Sequence, residues 1–287
     1  MTASVVKIRI IILCFLTMLA VLVWLPSTAV QAETQKYLTV EFLDVGQGDA
    51  IHVTTPDGFE LLIDGGPSAQ VLRQLAEKRS FFDKDIDVMI ATHPDADHIA
   101  GLVDVMERYQ IGMILDTAVE SDSQVSQVFQ DDARAEGARI VTAKAGQSLQ
   151  LGASTTVRIL SPAGDTTGWE TNTASIVVQV VYGDIEFMLT GDAPINIENY
   201  LVSQYGDLLE SEVLKLGHHG SKTSTSEEFL EVVKPDYAVV SAGKDNSYGH
   251  PKAEVIERVI EKEIEVFSTM EQGTITFMSD GNKVWLR

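Results

Sequence analysis

The stretch Thr92-His93-Pro94-Asp95-Ala96-Asp97-His98 puts two imidazoles and two carboxylates within six residues. Such a group suits a divalent cation. Imidazole favours Zn, Fe or Mn, and carboxylate moves the preference toward harder ions such as Mn. A polar loop that merely starts a helix needs one capping Asp, not two Asp and two His together. A second signal is Thr190-Gly191-Asp192, where a carboxylate at a strand end could bridge two ions; helix capping ahead of Pro194 is the structural alternative. A third is Leu214-Lys215-Leu216-Gly217-His218-His219-Gly220-Ser221, and a fourth is Asn246-Ser247-Tyr248-Gly249-His250-Pro251. Five of the six histidines fall in these polar motifs; His52 sits inside a strand pattern and is given no role.

The elements that must position these groups follow from periodicity. Apolar β-patterned runs cover 37–44, 50–55 and 59–64, broken by Gly46-Gln47-Gly48 and Pro56-Asp57-Gly58. A helix is expected near 68–79, a buried strand at 87–91, and a helix from about 99 with Ile99, Leu102, Val103 and Met106 on one face. Strand 111–115, helix 121–136 and strand 139–142 follow, and the acidic stretch 116–136 is read as an insertion beside the site. Beyond 148 the pattern again runs from hairpins, one turning at Gly183-Asp184, to alternating strands and helices. Antiparallel hairpins beside βα units fit an α/β fold built as a four-layer αββα sandwich, and argue against a doubly wound parallel sheet.

Residues 1–32 read as a separate segment. Lys7 and Arg9 precede an apolar run over 10–25, Pro26 ends it, and Val30-Gln31-Ala32 offers a small-residue cleavage pattern. That order is the layout of a secretory signal peptide, with an uncleaved N-terminal anchor as the alternative. Residues 33–287 then form one domain lying outside the cytosol, secreted or membrane-anchored. The single cysteine, Cys14, lies in the apolar run, so the rest must hold metal with His and carboxylates and rely on a packed core. The formal charge is −21, and −23 without the first 32 residues, which carry Lys7 and Arg9 but no carboxylate. A field of that sign repels polyanions and disfavours nucleic acid as a partner, although bound metal can reverse it locally.

Asp64-Gly65-Gly66, His93-x-Asp95-x-Asp97-His98, Gly191-Asp192 and His218-His219-Gly220-Ser221 together resemble the ordered motifs of the metallo-β-lactamase superfamily. Phe42-Leu43-Asp44-Val45-Gly46-Gln47-Gly48-Asp49-Ala50 is more discriminating and resembles the opening motif of the hydrolase domain of ComEC-family competence proteins. Asn172-Thr173-Ala174-Ser175 and the 246–251 segment are similar to that family too. The resemblance implies two divalent cations, Zn or Mn, with His93 and Asp95 on one, Asp97, His98 and one of His218 or His219 on the other, and Asp192 bridging. It implies a hydroxide between the metals, oriented by Asp97. Asp64 and Asp49 become supports behind the ligands, with Gly65 and Gly66 letting the backbone pass close. His250 is assigned to the catalytic group, and Asn172, Ser221 and Asn246 to substrate contact. Two departures from the superfamily pattern stand out: Asp95 where a second His is common, and no His in the stretch around Asn172.

The function expected is an exported, metal-dependent hydrolase of phosphodiester type, nuclease-like or acting on another ester. The alternatives are a hydrolase of a non-nucleic-acid ester or phosphoester, and a non-catalytic binding protein on the same fold. A membrane is a partner only if the N-terminal segment stays uncleaved.

Overall fold

The computed structural model describes residues 37–79, 83–119 and 121–287. The leader or anchor expected over 1–32 lies outside the described residues.

Alternating apolar positions build one face of each strand, and two sheets bury those faces against each other. The first sheet starts with three short antiparallel strands, β1 (Leu38–Phe42), β2 (Ile51–Thr54) and β3 (Glu60–Ile63). It continues in parallel through β4 (Asp85–Ile90), β5 (Gln110–Asp116) and β6 (Arg139–Thr142). The second sheet repeats the plan. The antiparallel strands β7 (Ser148–Leu151), β8 (Thr155–Ser161), β9 (Val177–Tyr182) and β10 (Ile185–Leu189) lead into parallel β11 (Val213–Lys215), β12 (Tyr237–Val240) and β13 (Glu265–Ser268). The last strands, β14 (Ile275–Ser279) and β15 (Val284–Leu286), return to the first sheet, where β14 pairs with β1.

Between the sheets lie Val40, Phe42, Ile63 and Ile90 from one side, and Val178, Phe187, Leu189 and Val239 from the other. Outside the first sheet, α1 (Gln70–Lys78), α2 (Ala96–Arg108) and α3 (Gln124–Glu136) bury Leu75, Leu102, Val105 and Phe129. Outside the second, α4 (Ile195–Tyr205), α5 (Glu227–Val233) and α6 (Ala253–Glu261) bury Leu201, Phe229, Leu230 and Val255. A four-residue helix, α7 (Thr269–Gln272), was not legible in the pattern. The architecture is the expected αββα sandwich.

Two expectations need correction. The acidic stretch 116–136 is no insertion: Asp116 ends β5, and α3 is the crossover from β5 to its parallel neighbour β6. The helix read from about residue 99 begins at Ala96, so Asp97 and His98 lie in its first turn. Asp95 takes the N-cap position, yet its side chain makes no capping hydrogen bond. His52 is a buried strand residue set between the carboxylates of Glu41 (3.2 Å) and Glu60 (3.5 Å).

The entry of α2 is clamped by backbone. Gly65 N donates to His98 O at 2.7 Å, and Gly101 N donates to Gly66 O at 2.9 Å. A Cβ on Gly101 would lie 1.9 Å from Gly65 O, so only glycine permits this approach. Gly101→Ala should therefore push α2 off the β3 end and lower stability by about 1–3 kcal/mol, the usual cost of overpacking. A urea midpoint shifted down at unchanged slope is the expected reading; an unshifted midpoint would show that the helix yields without cost.

Candidate metal centre

Both sheets change from antiparallel to parallel pairing at one place, β3 to β4 in the first and β10 to β11 in the second. Ligand sites in α/β sheets gather outside the carboxyl ends of the strands. Asp64 follows β3, His93 follows β4, Asp192 follows β10, and His218 and His219 follow β11. The chain folds these separate motifs onto one another.

Asp192 is the hub. Its carboxylate lies 3.4 Å from His98 Nε2, 3.5 Å from His219 Nε2, 3.7 Å from His218 Nε2 and 3.9 Å from His93 Nε2. Asp97 reaches His219 Nε2 at 3.3 Å, and Asp95 reaches His93 Nε2 at 3.8 Å. Two groups emerge that could each hold a cation: His93, His98 and Asp192, and Asp97, His98 and His219. Asp95 stands at the rim with an exposed carboxylate. His219 is buried and belongs to such a group; His218 is partly exposed and touches only the edge. The capping alternative for Asp192 is not what is seen, because the N-cap of α4 is Pro194 and no side chain caps that helix.

The imidazoles are aimed from behind. His98 Nδ1 donates to Asp64 Oδ2 at 2.7 Å, and Asp64 also accepts from Thr92 N (2.8 Å) and Thr92 Oγ1 (2.7 Å). His219 Nδ1 meets Ser241 O at 2.9 Å; a carbonyl only accepts, so this nitrogen carries the proton. His93 Nδ1 lies 3.0 Å from Thr92 Oγ1. In all three rings Nδ1 is engaged and Nε2 is buried with no hydrogen-bond partner, as is Asp192 Oδ1. Buried polar atoms are seldom left so. Four orphaned lone-pair atoms converging beside Asp97 fit divalent metal, and the hydrogen bonds behind them are of the kind that fix metal-ligating His.

Backbone strain serves the same end. His218 and His219 both have left-handed conformations, at φ 48° and 55°. Non-glycine residues held there cost about 1–3 kcal/mol each and cluster at functional sites. The pair is set between Gly217 and Gly220, and both rings face Asp192.

The charges are lopsided. Counting only the chain's own groups, burial opposes ionised imidazoles, yet Asp192 and Asp64 raise His98 well above its usual value. In the same way Asp192 and Asp49 lift His219 to about 9 against burial. Burial and then the neighbouring His98 push His93 down to about 3. Asp192 itself, despite burial, is held well below the ordinary carboxylate range by His219 and His98. A field that protonates buried imidazoles attracts a divalent cation more strongly still.

One central residue carried no role in the sequence reading. Lys215 is fully buried, the only lysine so placed among the described residues. Its ammonium pairs with Asp49, donates to Gly191 O at 3.1 Å and lies 3.9 Å from Asp192. Burial would raise Asp49, but Lys215 and then His219 bring it to about 2. Asp49 in turn approaches His219 Nδ1 at 3.4 Å. The available signal was a charged residue between Leu214 and Leu216 in an otherwise apolar strand.

The expected substrate-contact residues separate. His250 lines the opening together with Gln47, Asp95, Asp97, Asp192, His218, His219 and Tyr248. Asn246 does not line it; its amide donates to Gly243 O (2.9 Å) and His250 O (2.7 Å) and accepts from His250 N (3.0 Å). Ser221 is buried and accepts from Thr223 Oγ1 at 3.0 Å within its own turn. Asn172 lies in a 3₁₀ turn, also off the opening; three residues on, the Ser175 hydroxyl accepts from Asp192 N at 3.3 Å. The motif around Asn172 thus supports the hub through Ser175.

Comparison with known proteins agrees with this geometry. Residues 43–244 match the family described as the Metallo-beta-lactamase superfamily. The chain is 31% identical over 256 residues to ComE operon protein 3 of Bacillus subtilis (strain 168), taking in 83% of this chain and 32% of that protein. It is 44% identical over 106 residues to Competence protein ComA of Neisseria gonorrhoeae, 37% of this chain and 15% of that one. The chain thus spans at most about a third of these curated relatives. Among solved structures, Igni18, described as a metallo hydrolase from Ignicoccus hospitalis KIN4/I, superposes with a TM-score of 0.56 at 18% identity, over 83% of this chain and 98% of that one. At that identity the likeness concerns the fold alone.

Proposed function

Because this chain belongs to the metallo-β-lactamase superfamily, we propose that it is an exported, metal-dependent phosphodiester hydrolase. The observation that carries the reading is the convergence of the orphaned Nε2 atoms of His93, His98 and His219 on Asp192. Metal-site hydrolysis of an ester needs such a nitrogen–oxygen ligand set with an accessible face, and here that face opens between Asp97 and His250. The leader-like pattern of the first 32 residues supports export.

The residues divide the work. His93, His98, His219, Asp97 and Asp192 would hold two divalent ions, zinc or manganese, with Asp95 completing the exposed side. Bound there, the ions would polarise a phosphoryl oxygen and acidify water. Asp97 lies partly open to the pocket and can accept a hydrogen bond from the attacking water, orienting it. Asp64 and Ser241 keep the proton of His98 and His219 on Nδ1, so that Nε2 stays a lone-pair donor. His250, brought down to about 4 by burial and by His218, is neutral at neutral pH and can offer a ring N–H to a substrate oxygen.

The nitrogen-poor ligand set speaks for phosphoester over lactam substrates, and the charge of −23 outside the first 32 residues speaks for short esters over long nucleic acid. Elemental analysis of the untagged protein, followed by a panel of phosphodiesters with Zn²⁺ and Mn²⁺, tests the proposal. Bound metal and chelator-sensitive cleavage of a small phosphodiester are expected. Single-stranded DNA should be cut weakly and with a steep salt dependence, if at all. A protein that retains no metal would be a binding module instead.

A further inference from the structure

His52 is the histidine that the candidate metal centre leaves unused. Its neighbours Ile51 and Val53 face the core between the sheets, so strand alternation turns its ring the other way, toward α1. There it enters a buried ionic cluster. Nδ1 lies 3.2 Å from Glu41 of β1, and Nε2 lies 3.5 Å from Glu60 of β3. All three residues are buried. The end of α1 closes the cluster from outside. Lys78 Nζ is 3.0 Å from Glu41, and Arg79, the C-cap, pairs with Glu60 and with Asp83 (3.0 Å). From β14 the Thr276 hydroxyl donates to Glu41 at 3.4 Å, and from β4 Asp87 accepts from Glu60 N at 2.8 Å.

An ionised carboxylate only accepts hydrogen bonds, so a ring with such an oxygen at each nitrogen is matched when both nitrogens carry protons. A neutral ring keeps one proton and turns a lone pair on the other oxygen. The vulnerable side is Nε2: Nδ1 bonds Glu41, whereas Nε2 faces Glu60 without a formed hydrogen bond. Burial alone would lower the ring's pKa, yet Glu41 and Glu60 carry it above its usual value. In return Glu41, which burial would raise, is brought below its own by His52 and Lys78.

The cluster is connected to the opening of the metal centre. One turn before Lys78, Gln74 Oε1 accepts from Thr274 Oγ1 at 2.7 Å. Thr274 Oγ1 accepts from Asp44 N at 3.0 Å, and Asp44 Oδ1 accepts from Gly46 N at 3.3 Å. The next residue, Gln47, lines the opening.

We propose that His52 is a proton-operated clamp: with both ring protons it joins Glu41 and Glu60 beneath Lys78 and Arg79, and with one it slackens the end of α1 and, through Gln74, the 44–48 loop. A group whose pKa is higher folded than unfolded contributes its full stability below the unfolded value, about 6.5 for histidine. That contribution is lost as pH rises through the folded value. The clamp therefore holds at pH 6 and slackens as the medium turns alkaline.

The test uses the full protein with zinc added, between pH 6 and 9, with His52→Gln and Glu60→Gln. Glutamine at 52 cannot titrate. Glutamine at 60 keeps an oxygen for Arg79 and removes the charge facing Nε2. Ring-proton NMR follows His52 itself, and hydrogen exchange of the 74–79 and 44–48 amides, corrected for the intrinsic base-catalysed rate, follows the clamp. The difference from His52→Gln removes the titration of every other group, so the result does not depend on how much metal is held. In the wild type, protection of both segments should fall on the order of tenfold as the His52 signal titrates, the worth of one hydrogen bond to a charged group. His52→Gln should show no such step, and Glu60→Gln should move it to lower pH. Should His52→Gln fail to fold, the shifted midpoint in Glu60→Gln identifies the His52 signal and carries the comparison. Four results overturn the proposal: a His52 signal that titrates at or below the ordinary histidine value, flat protection in the wild type, the same fall in His52→Gln, or a fall that leaves 44–48 unchanged.

Discussion

Asp192→Asn should remove nearly all hydrolysis, by about a thousandfold or more in kcat/KM, together with at least one equivalent of metal. The substitution keeps shape and removes one charge, at the point where four imidazole Nε2 atoms lie within 3.4–3.9 Å. Each tenfold is about 1.4 kcal/mol, and metal-based charge stabilisation is worth several kcal/mol. The carboxylate also balances His98 and His219, which are raised chiefly by it against burial. Without it both rings fall back toward their neutral form under burial, and the site loses the negative charge that would draw in a cation. Asp95→Asn is the control: its half-exposed carboxylate lies 3.8 Å from His93 and bonds Thr171 outside the hub, and its loss should cost about tenfold, the low end for a group adjusting a ligand. Metal content by elemental analysis and kcat/KM on one phosphodiester decide the matter. Full metal and near-full activity in Asp192→Asn would remove the hub from the mechanism.

Much of this was legible because the signals are local. Period-two apolar runs and period-3.6 faces located the strands and helices, and the antiparallel-then-parallel order that both halves share identified the sandwich. The His-Asp motifs were visible because each sits at a strand end, where a polar run has no packing role. The resemblance made Asp64 a support behind the ligands without saying which one, and the structure places its carboxylate 2.7 Å from His98 Nδ1.

What escaped was set by contacts distant in sequence. The start of α2 at Ala96 goes with Gly65 N donating to His98 O and Gly66 O accepting from Gly101 N in its first turns, which periodicity over 99–106 cannot register. The acidic surface of α3 resembled an excursion, because its buried side rests on only a few residues such as Phe129 and Ala133. Ser175 works through its distance to Asp192 N, which nothing in its composition announces. Asn246 was assigned to substrate for its polarity, whereas its amide is used in holding the loop.

Lys215→Met should be the most destabilising single change at the site that removes no metal-group residue, by about 3–5 kcal/mol, the cost of stranding one partner of a buried ion pair. Lys215 and Asp49 are both buried, and their contact joins the β1–β2 connection of the first sheet to β11 of the second. Methionine fills nearly the same volume, so the loss is one of charge and of the bond to Gly191 O, with little cavity. Asp49 would then face Asp192 and Asp64 with only the imidazoles of His98 and His219 beside it to balance its charge. Asp49→Asn on top of Lys215→Met should recover more than half the loss, since replacing both members of a buried pair is often near neutral. The asparagine oxygen can still face His219 Nδ1, where the carboxylate lies at 3.4 Å. Urea midpoints of the two single variants and the double, at one fixed metal concentration, give the coupling energy directly. A double variant as unstable as the two losses added together would show that Lys215 and Asp49 act independently. The inter-sheet contact beneath the candidate metal centre would then owe its stability to packing alone.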